Sequence, residues 1–127
     1  LIKKKSKLSL FLISASRFED HKIVNLLKKD NIEIDIFHIY WLKPFKINKS
    51  YLSSLKKTKL GLVIDSSFEI CSISEHIAFK LMQKIKNSRV YNYGMEDRSP
   101  GCSPSLLNGT PSADQIVKKI KNLLRKY

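Results

Sequence analysis

Two kinds of apolar pattern alternate along this chain: short, nearly unbroken runs, and stretches in which apolar residues recur every three or four positions. Leu8, Leu10, Phe11, Leu12 and Ile13 form the first run, as expected of a strand covered on both faces. Ser14-Ala15-Ser16 turns the chain. Ser16 and Glu19 have the spacing of a capping box, and Ile23, Val24 and Leu27 supply the inner stripe of a helix that runs out at 28–31. Ile32, Ile34 and Ile36 then alternate with Glu33, Asp35 and Phe37, which predicts a strand with one face buried and the other partly so. His38, Tyr40 and Trp41 close it, and Pro44, unable to donate to a ladder, marks the exit from the sheet.

A shorter helix is expected from about Ser50, with Leu52 and Leu55 inward. The second unbroken run, Leu60, Leu62, Val63 and Ile64, stops at Asp65. A polar loop follows, and then Ile73, Ile77, Ala78, Leu81, Met82 and Ile85 recur at helical spacing behind the start signal of Ser72 and Glu75. A fourth strand covers 89–93 and ends at Gly94. The stretch from Met95 to Gly109, with Pro100, Gly101 and Pro104, is a loop long enough to predict a functional or contact role. Ser112 and Gln115 open a last helix whose Ile116, Val117, Ile120, Leu123 and Leu124 face inward.

Strands alternating with helices imply a largely parallel sheet with helices on both faces. Ligands and partners of such sheets gather outside the carboxyl ends of the strands, so 65–74 is the stretch where function is expected.

The 127 residues suit a single domain, 1–127, and no apolar run approaches the ~20 residues needed to span a bilayer. The start at Leu1, with neither an initiator methionine nor a secretory signal, suggests a piece of a longer polypeptide. Cys71 and Cys102 belong to no paired motif, which favours a reducing, cytoplasmic home without a disulfide framework or zinc site. The 24 Lys and Arg against 11 Asp and Glu, net +13, raise a nucleic-acid reading. Only four of these cations are Arg, and the lysines fall on nearly every predicted surface, so a solvated surface is favoured and nucleic-acid binding is not expected.

Candidate chemistry is sparse. The four glycines build no phosphate-cradling loop, and His21, His38 and His76 stand apart from one another. Cys71 precedes a helix start, where a dipole favours thiolate, but a small residue in a tight turn is the plainer reading. Ser103 lies in a Pro-Gly-Cys-Ser-Pro stretch that lacks the second glycine of a nucleophile elbow. Glu96 and Asp97 are neighbouring carboxylates without a third ligand. No complete active site assembles, which favours a domain supporting chemistry done elsewhere.

The order of motifs resembles the C-terminal domain of transketolase-like, thiamine diphosphate-dependent enzymes, including the β subunits of 2-oxo acid dehydrogenase E1 components. The resemblance is carried by the unit 8–27, by Ile32–Ile36 running into Leu42-Lys43-Pro44, and by Leu62-Val63-Ile64-Asp65. It continues in Ser74-Glu75-His76-Ile77, Ser103-Pro104 and Pro111–Val117. Where the family usually has glycine, this chain has Ser14-Ala15-Ser16 and Cys71-Ser72-Ile73-Ser74, so ligand contacts at those two loops are not carried over.

The resemblance implies a three-layer α/β/α domain with a mostly parallel five-stranded sheet, the fifth strand at Leu1–Lys5. It also implies that thiamine diphosphate and a divalent cation are held by preceding domains or a partner subunit. This domain would then be non-catalytic, inactive by itself and part of a homodimer. Asp65, Glu69, Cys71, Ser74, Glu75, Asp97, Arg98 and Ser103 are the candidate loop or interface positions. Because E1 β subunits bind a small basic domain, a partner at +13 is expected to dock there weakly, which favours a stand-alone transketolase-like enzyme. Two rivals from other classes are a basic α/β nucleic-acid-binding module and a small enzyme using Asp65, Glu75 or Cys71.

Overall fold

The two unbroken apolar runs occupy the middle of the sheet and the two interrupted ones its edges, as burial on two faces or on fewer requires. The structure, a computed structural model, describes residues 5–127. Its strands are β1 (Ser9–Ile13), β2 (Asp35–Ile39), β3 (Leu60–Phe68) and β4 (Arg89–Met95), all parallel and ordered β2-β1-β3-β4. Its α-helices are α1 (Asp20–Lys28), α2 (Lys49–Thr58), α3 (Ile73–Lys84) and α4 (Ala113–Lys126), with 3-10 turns at Ser14–Glu19 and Pro104–Leu106.

Side chains alternate across each strand, so neighbouring residues feed two different cores. Leu10, Leu12, Leu62 and Ile64 pack with α1 and α4 through Ile23, Leu27, Ile116 and Ile120. Phe11, Ile13 and Val63 pack with α2 and α3 through Leu55, Ile77 and Leu81. On that second face Phe37 stacks on Phe11 at 5.3 Å, and Tyr51 meets both rings edge-on. The result is the expected three-layer α/β/α arrangement. The described residues form four strands; the fifth, expected at Leu1–Lys5, falls on residues 1–4 outside the described part, and Lys5 itself lies in a turn.

Several boundaries move for identifiable reasons. Ser16 and Glu19 do not cap a helix together. Residues 14–19 form a 3-10 turn, α1 starts at Asp20, and Glu19 instead accepts the Ala113 amide at the start of α4, at 2.9 Å. β2 begins at Asp35 rather than Ile32, because pairing with β1 becomes continuous only at Ser9 and Asp35. β3 runs past Asp65 to Phe68, with an irregularity between Ile64 and Phe68 where it follows β4. Gly94 is required there: a Cβ would stand 2.4 Å from the Ser67 carbonyl oxygen. The capping signals of α3 and α4 hold, with Ser72 accepting from the Glu75 amide, and Ser112 and Gln115 bonding reciprocally.

At the amino end of the sheet Asp35 is fully buried. Its carboxylate accepts hydrogen bonds from Ser6 and from Ser54 at 2.6 Å, and pairs with Lys57 at 3.1 Å. Ser9 extends the network to Ser54 and Thr58. A residue that alternation alone puts on a half-exposed face therefore anchors β2 to β1 and α2, its carboxylate satisfied by Ser6, Ser54 and Lys57.

A parallel sheet makes its helices run back against the strands, so helix N-termini collect at the carboxyl end and C-termini at the amino end. Helix dipoles then favour acids at one end and bases at the other. Eight of the eleven carboxylates lie at the carboxyl end, in segments 19–20, 65–75, 96–97 and at Asp114. Twelve exposed Lys and Arg lie at the amino end, in segments 5–7, 28–29, 56–59, 84–89 and 125–126. The other ten described Lys and Arg lie elsewhere, so the cations cover nearly every surface as expected and are densest at the amino end.

Candidate functional site

The strand order reverses direction between β1 and β3, so the crevice at their carboxyl ends is where a ligand of such a sheet would enter. Ser16 fills it. Fully buried, its hydroxyl lies 2.6 Å from the Ile13 carbonyl and 3.1 Å from that of Ile64, donating to both, and it accepts the Ile13 amide at 3.0 Å. The serine standing where glycine would leave space thus ties β1 to β3.

Asp65, at 4% exposure, sits beside this crevice but turns its carboxylate onto its own loop. It accepts the Ser66 amide at 2.7 Å and the Ser67 hydroxyl at 2.8 Å. The Glu69 amide donates to Met95 and its carbonyl accepts from Asn92 at 2.7 Å, so the residue's main chain stitches β3 to β4. Cys71 is exposed in the turn before α3, with φ at 51°. Ser74 is buried and its hydroxyl pairs with that of Ser72, while Glu75 stands exposed in the first turn of α3.

Asp97, Arg98 and Ser103 belong to a separate construction, the loop after β4. Arg98 pairs with Glu96 and donates to the carbonyls of Leu106 and Leu107 at 2.8 and 3.1 Å. Asn108 brackets the same loop: it accepts the Glu96 amide and donates to the carbonyls of Glu96 and Arg98. Ser103 bonds Ser105, and Asp97 is exposed. Tyr93 joins the two groups. Burial, and then the carboxylates of Glu69 and Glu96, push its phenol above its ordinary pKa, while Lys119 lies 5.1 Å over its ring. The candidates therefore form two loop clusters that hold backbone in place and assemble no nucleophile with a base.

The donor set does not fit a diphosphate or a divalent cation. The N-termini of α1, α3 and α4 each carry their own acid, Asp20, Glu75 and Asp114, which opposes an incoming phosphate. The carboxylate of Asp65 is occupied, and no group of three metal-ligating side chains occurs among the described residues.

What the carboxyl end does present is apolar surface. Phe18 follows β1, Tyr40 and Trp41 follow β2, Phe68 and Ile70 end β3, and Leu106 and Leu107 lie beyond β4, all exposed. Seven of the ten exposed large hydrophobic side chains among the described residues thus lie at one end, with Trp41 at 70% and Phe18 at 82%. Polar contacts brace part of this rim. The Arg17 guanidinium lies 4.4 Å over Tyr40, and His38 contacts the Tyr40 hydroxyl at 3.2 Å and Asp20 at 3.1 Å. Sequence reading named Tyr40 and Trp41 only as the close of a strand. Aromatics placed just past a strand, before a proline exit, were the signal available.

The chain is thus a three-layer parallel α/β domain whose carboxyl-end loops are braced by polar contacts and carry exposed apolar side chains. The sequence pattern of the family described as Transketolase, C-terminal domain, matches residues 1–109, and the chain belongs to that family. The match ends before α4, so the Pro111–Val117 motif lies beyond it. No curated protein matches the chain. No helix among the described residues is long and apolar enough to cross a membrane.

Proposed function

We propose that this chain is the non-catalytic C-terminal domain of a thiamine diphosphate-dependent transketolase-like enzyme or E1 β-type subunit. In this reading it packs against the cofactor-binding domains and supports a homodimer, in the cytoplasm. Thiamine diphosphate and its divalent cation are held by those other domains. The observation that carries the reading is the row of exposed apolar side chains along the carboxyl end of the sheet, from Trp41 at one edge to Leu107 at the other. Interfaces of this kind draw most of their energy from a few buried aromatic and aliphatic anchors, and Trp41, Tyr40 and Phe18 are of that type.

The test is the assembly state of the complete native protein carrying Trp41→Asp and Leu107→Asp. Loss of the assembled form in analytical ultracentrifugation, with an unchanged circular dichroism spectrum, is the expected outcome. Micromolar binding of thiamine diphosphate by these 127 residues alone would overturn the reading. The basic amino end also predicts weak docking to a small basic domain of an acyltransferase core, so tight binding there at physiological salt would contradict the E1 argument.

A further inference from the structure

The amino end of the sheet carries a charge pattern that packing against other domains does not use. Among the described residues its twelve exposed cations stand against three carboxylates: buried Asp35, paired with Lys57 at 3.1 Å, Asp30, held by Lys121 at 2.6 Å, and exposed Glu33. Helix dipoles account for the six in helical last turns, Lys28, Lys56, Lys57, Lys84, Arg125 and Lys126. The other six lie outside the helices, in the segments that lead into β1, β2, β3 and β4. Like charges gathered at one end of a sheet repel one another, and a polyanion relieves that repulsion as its own condensed counterions are released.

We propose that this end binds nucleic acid through its phosphate backbone, without reading sequence. An acidic protein would need a cluster of apolar anchors, and among the described residues the exposed large hydrophobic side chains at this end are Tyr127 and, in the last turn of α3, the marginally exposed Met82. That ring lies under the Arg89 guanidinium at 4.2 Å, stacks with Tyr91 at 6.2 Å and bonds its hydroxyl, which holds an aromatic side chain in place among the cations. The preponderance of Lys over Arg suits point contacts to phosphates rather than bidentate contacts to base edges.

The experiment is fluorescence anisotropy of a labelled 20-nucleotide single-stranded RNA of mixed sequence, titrated with the complete native protein across a salt series. Two triple variants that change net charge equally separate position from total charge. One is Lys28→Glu, Lys86→Glu and Lys126→Glu at the amino end; the other is Lys46→Glu, Lys49→Glu and Lys80→Glu elsewhere, each checked by circular dichroism. The wild type and the second triple are expected to bind with affinity falling steeply with salt. The first triple is expected to bind about tenfold or more weakly, with a salt slope smaller by roughly 2–3. Equal weakening by both triples, or no binding by the wild type at 50 mM salt (roughly the low end of such series), would overturn the proposal. So would equally tight capture by phosphatidylserine vesicles or by polyglutamate. These outcomes are independent of the assembly test above, because neither Trp41 nor Leu107 is altered.

Discussion

At the amino end of the sheet a carboxylate is sealed from water among two hydroxyls and an ammonium, and the surface around it is almost uniformly cationic. At the carboxyl end the polar groups are spent on bracing loops, while Trp41, Tyr40, Phe18 and Leu107 stand in solvent. One end buries its central polar group; the other leaves its large apolar side chains bare. Domains of one topology put partners at the carboxyl end because loops can vary there without disturbing the sheet. The amino end is made of short returns from helix to strand and has no such freedom. The difference implies that stability is lost by mutation at the amino end and assembly by mutation at the carboxyl end.

The largest effect expected from this contrast is Asp35→Ala. It leaves Lys57, Ser6 and Ser54 without their acceptor and should cost about 3–5 kcal/mol in urea unfolding. A cost below about 1 kcal/mol would show that the amino end is not the anchor. Gly94→Ala comes next: its Cβ meets the Ser67 carbonyl at 2.4 Å, so the β3–β4 contact must open at about 1–3 kcal/mol, read as a lowered Tm. Ser16→Ala removes the bridge between β1 and β3 and leaves the Ile13 amide unpaired, again about 1–3 kcal/mol. Like Gly94→Ala, it is a change at the carboxyl end expected to lower stability rather than assembly. Trp41→Asp with Leu107→Asp should alter stability of the isolated chain by less than about 0.5 kcal/mol per site while abolishing assembly. A large drop in Tm would mean that these side chains already pack within the domain.

The smallest effect is in the phenols of β4. Tyr91 is pushed above its ordinary pKa by its hydrogen bond with Tyr127, and Tyr93 by burial and then the carboxylates of Glu69 and Glu96. A raised phenol pKa means that the fold favours the neutral form. Its contribution is present below the unfolded value and lost as pH climbs through the folded one. Absorbance titration near 295 nm (roughly the phenolate band, around the ordinary pKa of about 10) should show three of the five tyrosines ionising late, Tyr51 through burial as well as Tyr91 and Tyr93, and Tyr127→Phe should return Tyr91 toward its ordinary value.

Element types and order were legible because hydrophobic period carries them: the runs at Leu8–Ile13 and Leu60–Ile64 became the central strands, and the boxes at Ser72 and Ser112 started their helices. Ser16 misled because a serine three residues before a glutamate serves equally to close a turn, and its true partner, Ile64, lies 48 residues away. Asp35 misled because alternation assigns faces but says nothing of whether hydroxyls and a lysine from Ser6, Ser54 and Lys57 will meet a carboxylate there. Of the candidate positions, Asp65 lies within β3, Glu69 to Glu75 in the turn and first helical turn that follow, and Asp97 to Ser103 in the loop after β4. The exposure of Phe18, Leu106 and Leu107 was not legible, since an apolar residue in a loop looks the same whether it is covered or bare.

The one-dimensional pattern by itself determined the alternation of strands and helices, the buried faces, two helix starts and the family, because each depends on residues within a few turns of one another. Which end is sealed and which is bare was decided only when the chain folded. So was the sorting of carboxylates from lysines along the strands, for parallel pairing brings residues from five distant segments to one face, and charges or apolar groups act together only where they are close in space.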